Sequence, residues 1–168
     1  IDEVKPLAET ECRYPLVKNA FMFSCFCGLR ISDIRKLRWS QIETYTEDGE
    51  EKYRLTIRMT KTKKNITYQL SKEAIKWLPV KGEDDVIFKG LVQHSCLCYT
   101  IKDWVEAAGI KKKITFHCAR HTFATMMLTL GADIYTTSKL LGHTDIATTE
   151  IYAKIIDKKK DEAVGLID

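Results

Sequence analysis

The sequence has no long apolar run and no feature of a secretion signal. No stretch of its 168 residues reaches about eighteen consecutive apolar residues, the length of a membrane-spanning helix. The first residues, Ile1-Asp2-Glu3, lack the basic stretch followed by an apolar segment that marks a signal peptide. Both absences favour a cytoplasmic protein with no membrane partner.

The six cysteines do not follow the spacing of a zinc site. Four of them form two C-x-C pairs, Cys25 with Cys27 and Cys96 with Cys98. Zinc-binding pairs usually have about two to four residues between the cysteines. The first pair also lies in an apolar run, where small buried thiols are common. We therefore predict reduced, structural cysteines and no metal site.

The excess of basic over acidic residues is small. The chain has 27 lysines and arginines against 23 acidic residues, a formal net charge of +4. This balance is compatible with a nucleic-acid partner and equally with many ordinary enzymes. With 45% hydrophobic residues, the chain is long enough for one domain with a substantial core.

The N-terminal segments have helical patterns. Apolar residues at helical spacing predict helices over residues 2–10, 12–29 and 32–37. Gly28 ends the second of these helices, and Ser32 is the expected N-cap of the third.

An alternation of apolar and polar residues then predicts a small antiparallel sheet, with strands over residues 41–46, 53–59 and 66–70. The Asp48-Gly49 pair is typical of the turn between two such strands. The lysine-rich residues 60–64 are expected at the exposed tip of the second hairpin.

The rest of the chain is predicted to be helical, over residues 71–77, 96–108, 117–130, 134–141 and 145–156. Gly109, Gly131 and Gly142 separate the last four helices. The expected fold class is mostly α, within the α+β class, with one small three-stranded antiparallel sheet.

One helix of this half carries a pair of residues suited to an anion. His117 and Arg120 stand three residues apart at the start of a predicted helix, so both side chains leave the same face. An arginine, an imidazole and a helix N-terminus at one place suit a phosphate. Such a pair alone is common, and a surface salt bridge is its usual role.

Three motifs together resemble the tyrosine recombinase, or phage integrase, family. They are C-G-L-R-I-S-D-I from Cys27, H-C-A-R-H-T-F-A from His117, and L-G-H-T-D-I-A-T-T-E-I-Y from Leu141. They occur in the family's order and with its separations over nearly the entire chain. The pattern is most similar to integrases of phages and conjugative transposons.

The resemblance implies a role for each matching residue. Tyr152 would be the nucleophile, and the two arginines would bind the scissile phosphate beside the two histidines. Of these histidines, His117 would be the acid/base that helps the tyrosine ionise, and His143 would hydrogen-bond the phosphate. The family's catalytic lysine lies on a hairpin tip, where Lys61 matches best while Lys63 and Lys64 compete with it. The implied catalytic set is Arg30, Lys61, His117, Arg120, His143 and Tyr152, with Asp33 as a supporting residue.

The chemistry that this set implies is DNA cleavage and rejoining through a 3′-phosphotyrosyl intermediate, without metal, ATP or other cofactor. The implied enzyme is a site-specific recombinase or integrase of a mobile genetic element, acting in the bacterial cytoplasm at the nucleoid. Its expected partners are double-stranded DNA, three further copies in a synaptic homotetramer, and directionality or host architectural factors. A type IB topoisomerase and a catalytically silent DNA-binding regulator of the same fold are the alternatives.

The resemblance also sets the expected domain organisation. Residues 1–168 would form a single catalytic domain, the C-terminal fragment of a longer integrase whose N-terminal DNA-binding domains are absent here. As an isolated domain the chain is expected to be a monomer. Residues 157–168 would form a tail that either docks into a neighbouring protomer or folds back. His94 and His121 are assigned no chemistry, and His121 is expected to support its helix.

Overall fold

The computed structural model describes residues 2–165 of the chain, except for the side chains of residue 155 and residues 158–163. Within this range it contains a three-stranded sheet among α-helices, which confirms the predicted fold class. The helices are α1 (Val4–Glu9), α2 (Pro15–Cys27), α3 (Ile31–Ile34), α4 (Lys72–Ile75), α5 (His94–Ala107), α6 (His117–Thr129), α7 (Ile134–Leu140) and α8 (Ala147–Val164). The strands are β1 (Ile42–Glu47), β2 (Glu50–Arg58) and β3 (Asn65–Leu70). No helix of the described part of the chain combines the length and apolar character needed to traverse a membrane.

The sheet forms as the alternation predicts. Its strands pair antiparallel in the order β1-β2-β3. Asp48 and Gly49 form the first turn with φ angles of 53° and 78°, as a two-residue hairpin with positive φ at both positions requires. Leu55 and Ile57 are buried on one face of β2, while Arg54, Thr56 and Arg58, which alternate with them, are exposed. The sheet therefore presents one apolar face to the helices.

Helix α2 lies at the centre of the core. Pro15 occupies its first turn, where proline is favoured because no hydrogen bond of the helix is lost. Its aromatic residue Phe21 makes edge-to-face contacts with Trp104 of α5 and with Phe116 just before α6. Cys25 and Cys27 are buried, as expected, and burial raises the pKa of both thiols. The core thus forms around a helix that ends at the first motif.

Several predicted boundaries are wrong by two or three residues, among them the start of α2, the end of α3 and the start of β2. Arg30, not Ser32, occupies the N-cap position of α3, because the backbone N–H groups of Asp33 and Ile34 both bond to the Arg30 carbonyl. This places Ser32 inside the helix and fixes Arg30 at the junction between α2 and α3.

Helix α8 extends beyond the predicted end at residue 156, because no glycine or proline interrupts the chain between Ala147 and Val164. Residues 157–164, predicted as part of a tail, continue this helix, and residues 166–168 lie outside the described residues. On the inner face of α8, Thr149, Tyr152 and Ile156 are buried, and Tyr152 packs with Phe123 of α6 and the neighbouring Leu141. Whether the tail docks into a second protomer stays a prediction.

Both the backbone angle of Gly28 and the packing around it disfavour a side chain at this position. A substitution at a second glycine with the same backbone angle separates the two effects. Its φ is 74°, and an added Cβ would lie 2.5 Å from Cδ1 of the buried Phe123 ring. Gly109 has nearly the same φ, 76°, but an added Cβ there meets nothing within 4 Å. We expect Gly28→Ala to lower the free energy of unfolding by about 2–4 kcal/mol, because steric overlap in the core adds to the backbone strain.

The matched control is Gly109→Ala, with an expected loss of about 1 kcal/mol from the backbone alone. Urea unfolding of both variants measures the difference. Equal losses would mean that the Phe123 ring does not close the space beside Gly28.

Candidate functional site

The three sequence motifs meet at the side chain of Arg120. This residue lies in the first half of α6 and is only 1% exposed. Its Nη1 donates a hydrogen bond to the Gly28 carbonyl at 2.8 Å, and its Nη2 donates one to the Leu141 carbonyl at 2.5 Å. The guanidinium therefore ties the end of α2 and the end of α7 to α6.

Arg120 stays charged despite its burial. Burial, followed by the positive charge of Arg30, lowers its pKa to about 10. At neutral pH the group remains protonated, so a buried positive charge lies close to a second one. An anion between the two guanidiniums would relieve their repulsion.

Arg30 has a free hydrogen-bonding position directed into the protein. Its Nη1 is buried and has no hydrogen-bond partner among the described residues. Burial also lowers the pKa of this guanidinium, and the nearby carboxylate of Asp33 acts in the opposite direction. A buried donor left unpaired costs about 1–3 kcal/mol, so the described residues leave the Arg30 guanidinium incompletely satisfied.

Arg30 and Arg120 line a cleft of about 200 Å³ together with Lys61 and His117. The four side chains come from the α2–α3 junction, the β2–β3 hairpin and α6. Burial lowers the pKa of His117, and electrostatic interaction with the His121 ring and with the charges of Arg120, Arg30 and Lys61 lowers it further. His117 is therefore neutral at pH 7, and the cleft suits an anion such as a phosphate.

The hairpin tip that carries Lys61 is anchored from two sides. The Asp33 carboxylate accepts a hydrogen bond from the Thr60 backbone N–H at 2.7 Å. Lys64 Nζ donates to the His143 carbonyl at 2.7 Å. Of the three competing lysines, Lys61 is the one that lines the cleft, while Lys64 is bound to the turn opposite and Lys63 occupies a backbone position with φ of 58°.

His143 is held in the turn after α7. Gly142 has φ of 61°, and a Cβ there would lie 2.1 Å from Met59 Sδ, so the turn packs directly on the sheet. A hydrogen bond of 2.7 Å joins His143 Nδ1 to Oγ1 of the buried Thr149. Burial, followed by the charge of Arg120, lowers the pKa of His143 to about 4. Its ring is therefore neutral and fixed in orientation.

Tyr152 reaches the same region from α8 and is 4% exposed. Its hydroxyl is hydrogen-bonded to His121 Nδ1. Burial raises the pKa of this phenol, while the charges of Arg120 and Arg30 oppose that shift. The structure thus brings all six residues of the predicted set, and Asp33, to one side of the domain around Arg120.

His121 is the site residue that sequence reasoning missed. It was expected only to support α6, yet it contacts the Tyr152 hydroxyl. The available signal was its position four residues after His117, which places both imidazoles on one face of the helix. His94 lies on α5, where its Nε2 contacts Cys98 Sγ at 3.6 Å. Within the described residues, no three His, Cys, Asp or Glu side chains converge on a possible metal position.

Comparison with known proteins adds an independent finding. A family model described as the phage integrase family matches residues 2–159. A tyrosine recombinase of Pseudothermotoga lettingae is 30% identical over 148 residues, which cover 83% of this chain and 50% of the relative. The chain thus spans about half the length of the curated relatives that it matches.

Two solved structures have the same fold. The catalytic domain of bacteriophage HP1 integrase is 27% identical with a TM-score of 0.67, over 91% of this chain and 84% of that one. The XerH site-specific recombinase bound to its difH substrate is 19% identical with a TM-score of 0.70, over 99% of this chain and 52% of that one.

The neutral state of His143 makes stability depend on pH. A histidine in an unfolded chain has a pKa of about 6.5, whereas that of folded His143 is about 4. Between these values the unfolded chain binds more protons, so this stabilising contribution is complete above about pH 6.5 and is lost as the pH falls towards about 4. We expect His143 to contribute about 1 kcal/mol to the loss of unfolding free energy between about pH 7 and about pH 5.5.

Urea unfolding of the parent chain and of His143→Asn at both pH values measures this contribution. The lowered pKa values of His117 and His121 act in the same direction and remain in both proteins. An identical pH dependence in the two proteins would contradict the burial of a neutral His143.

Proposed function

Since this chain belongs to the phage integrase family of tyrosine recombinases, we propose that it catalyses site-specific recombination of double-stranded DNA through a 3′-phosphotyrosyl intermediate. The observation that carries the proposal is the pair of guanidiniums at one cleft, Arg30 and Arg120, whose charges also act on the buried hydroxyl of Tyr152. This arrangement suits a protein that binds a phosphodiester and attacks it with its own tyrosine.

The two arginines stabilise the transition state of cleavage. Negative charge concentrates on the nonbridging phosphate oxygens when phosphorus becomes five-coordinate. Arg30 and Arg120 place fixed positive charge against those oxygens, and preorganised charge in a partly buried site is worth more than in water. Because Nδ1 of His143 is bonded to Thr149, its Nε2 donates the further hydrogen bond to the phosphate.

Tyr152 and Lys61 take part directly in forming and breaking the bonds to phosphorus. The Tyr152 oxygen attacks phosphorus, a phosphotyrosyl bond forms, and the bond from phosphorus to the 5′-oxygen breaks. Lys61 donates a proton to the departing 5′-oxygen. Because the phosphotyrosyl bond keeps the energy of the phosphodiester, a 5′-hydroxyl can reverse the reaction without ATP, metal or other cofactor.

The remaining expectations concern the assembly. The chain is the catalytic domain of a longer integrase of a mobile element, and its DNA-bound synapse is a homotetramer assembled with directionality or host factors in the bacterial cytoplasm. The substrate-bound structure of the XerH recombinase supports duplex DNA as the partner. The phage integrase family match supports integration as the reaction.

The nucleophile assignment has a direct test. The probe is a pool of nicked duplexes with randomised sequence around the nick, incubated with the chain at low salt in the presence of a metal chelator and without ATP. Because a short strand diffuses away after cleavage at a nick, we expect wild type to accumulate protein-DNA adducts that survive denaturation. Tyr152→Phe, which lacks only the attacking oxygen, is expected to form none.

The matched control is Tyr135→Phe, which removes the hydroxyl of a tyrosine that is 60% exposed on α7. It should retain adduct formation. Adducts with Tyr152→Phe, or none with wild type, would refute the mechanism.

The choice among the three lysines can be tested on the duplexes recovered as adducts. General-acid catalysis contributes about 10²–10⁴-fold, so we expect Lys61→Ala to lower the single-turnover cleavage rate by that factor. Lys63→Ala, two residues away on the same tip, should remain within about threefold. Replacing the leaving 5′-oxygen by sulfur should restore the cleavage rate of Lys61→Ala, because a thiolate leaves without a proton. A larger loss in Lys63→Ala would reassign the acid.

A further inference from the structure

Two histidines of α6 face different parts of the candidate site. His117 lines the cleft with Arg30 and Arg120, and its ring meets that of His121 edge to face with centroids 4.5 Å apart. His121 lies one helical turn further on, and its ring centroid is 5.3 Å from that of Tyr152. Within the described residues, the Tyr152 hydroxyl has a hydrogen bond to His121 and none to His117.

From this geometry we propose that His121, and not His117 as the resemblance implies, is the general base that activates Tyr152. The inference rests on the proposed function and deepens it. In the cleavage step, the Tyr152 proton moves to His121 Nδ1 while the phenol oxygen bonds to phosphorus. The 5′-oxygen leaves and takes its proton from Lys61, so one proton is accepted and one is supplied. In the reverse step His121 returns the proton to Tyr152.

Tyr152 needs such a base. Its hydroxyl lies in a buried environment, which raises the pKa of the phenol, and the two arginines offset this only in part. The phenol is therefore protonated at neutral pH and is a poor nucleophile. A base in contact with the oxygen removes the proton as the bond to phosphorus forms.

His121 has the protonation state that this task requires. Burial lowers the pKa of its imidazole, and the positive charge of Arg120 lowers it further, so the ring is neutral at pH 7. A neutral ring protonated at Nε2 offers the lone pair of Nδ1 to the Tyr152 hydroxyl. The charged and titratable groups that face it are His117 and Arg120 from α6 and Tyr152 from α8.

DNA binding would make His121 a stronger base. The phosphate brings negative charge into a cleft lined by Arg30, Arg120, Lys61 and His117, and so offsets the charges that keep the imidazole neutral. His117 is then left to contact the phosphate itself. His121 thus acts on the nucleophile, and His117 acts on the phosphate.

The test separates loss of the base from loss of the acid. In His121→Asn, the amide oxygen replaces Nδ1 as a hydrogen-bond acceptor but cannot take the proton. We expect its single-turnover cleavage of the recovered duplexes to fall by about 10²–10⁴-fold. Sulfur in place of the 5′-oxygen should not restore it, although it should restore Lys61→Ala. Cleavage within about threefold of wild type, or rescue by sulfur, would overturn the proposal.

The pH profile gives a second readout that a purely structural role would not change. In wild type the cleavage rate should fall as the pH drops and His121 becomes protonated, and this acid limb should be absent in His121→Asn. An unchanged acid limb would overturn the assignment. If wild type forms adducts and Tyr152→Phe does not, an unchanged acid limb rules out only His121 as the base and leaves the proposed function intact.

A measurement on the folded chain itself guards against variants that do not fold. Nitrogen NMR of the DNA-free protein should find His121 Nδ1 unprotonated at pH 7, with a resonance that shifts in Tyr152→Phe. A protonated Nδ1, or no shift in that variant, would overturn the proposal without any cleavage assay.

Discussion

The site depends on one buried guanidinium, that of Arg120. Its two hydrogen bonds to main-chain carbonyls connect the Gly28 turn, α6 and the Leu141 turn, which are far apart in sequence. Hydrogen bonds from a charged donor contribute about 1.5–3 kcal/mol each, so the arginine stabilises the junction of the three motifs as well as presenting charge to the cleft. The buried position that suits phosphate binding is thus also the position that assembles the domain around it.

The β2–β3 hairpin is joined to this centre by a second set of contacts. Asp33 holds the start of the tip through the Thr60 N–H, and Lys64 holds its end against the His143 carbonyl. The absent side chain of Gly142 lets Met59 approach the same turn. These contacts hold the start and the end of the tip against main-chain atoms, whereas the side chain of Lys61 between them is exposed.

Much of this could be predicted from the sequence, and the exceptions have physical causes. The alternation in β2 and the Asp48-Gly49 turn specify the sheet locally, and the motif spacing identified the residues that cluster around Arg120. The contact between His121 and Tyr152 could not be predicted, because it depends on how α8 packs across α6, and tertiary packing is not encoded in helical periodicity. For the same reason, spacing alone could not decide which of three lysines matches the family's catalytic lysine. The fold of the hairpin places Lys61 at the cleft.

The central claim is that the Tyr152 oxygen becomes bonded to DNA phosphorus. Mass spectrometry of a trypsin-digested adduct tests it most directly, since cleavage after Lys139 and Lys154 yields residues 140–154, in which Tyr152 is the only tyrosine. After nuclease treatment, the account expects this peptide to carry a nucleotide linked through its 3′-phosphate, with fragment ions that place the added mass on Tyr152. A nucleotide on any other residue, or one attached through its 5′-phosphate, would contradict the account.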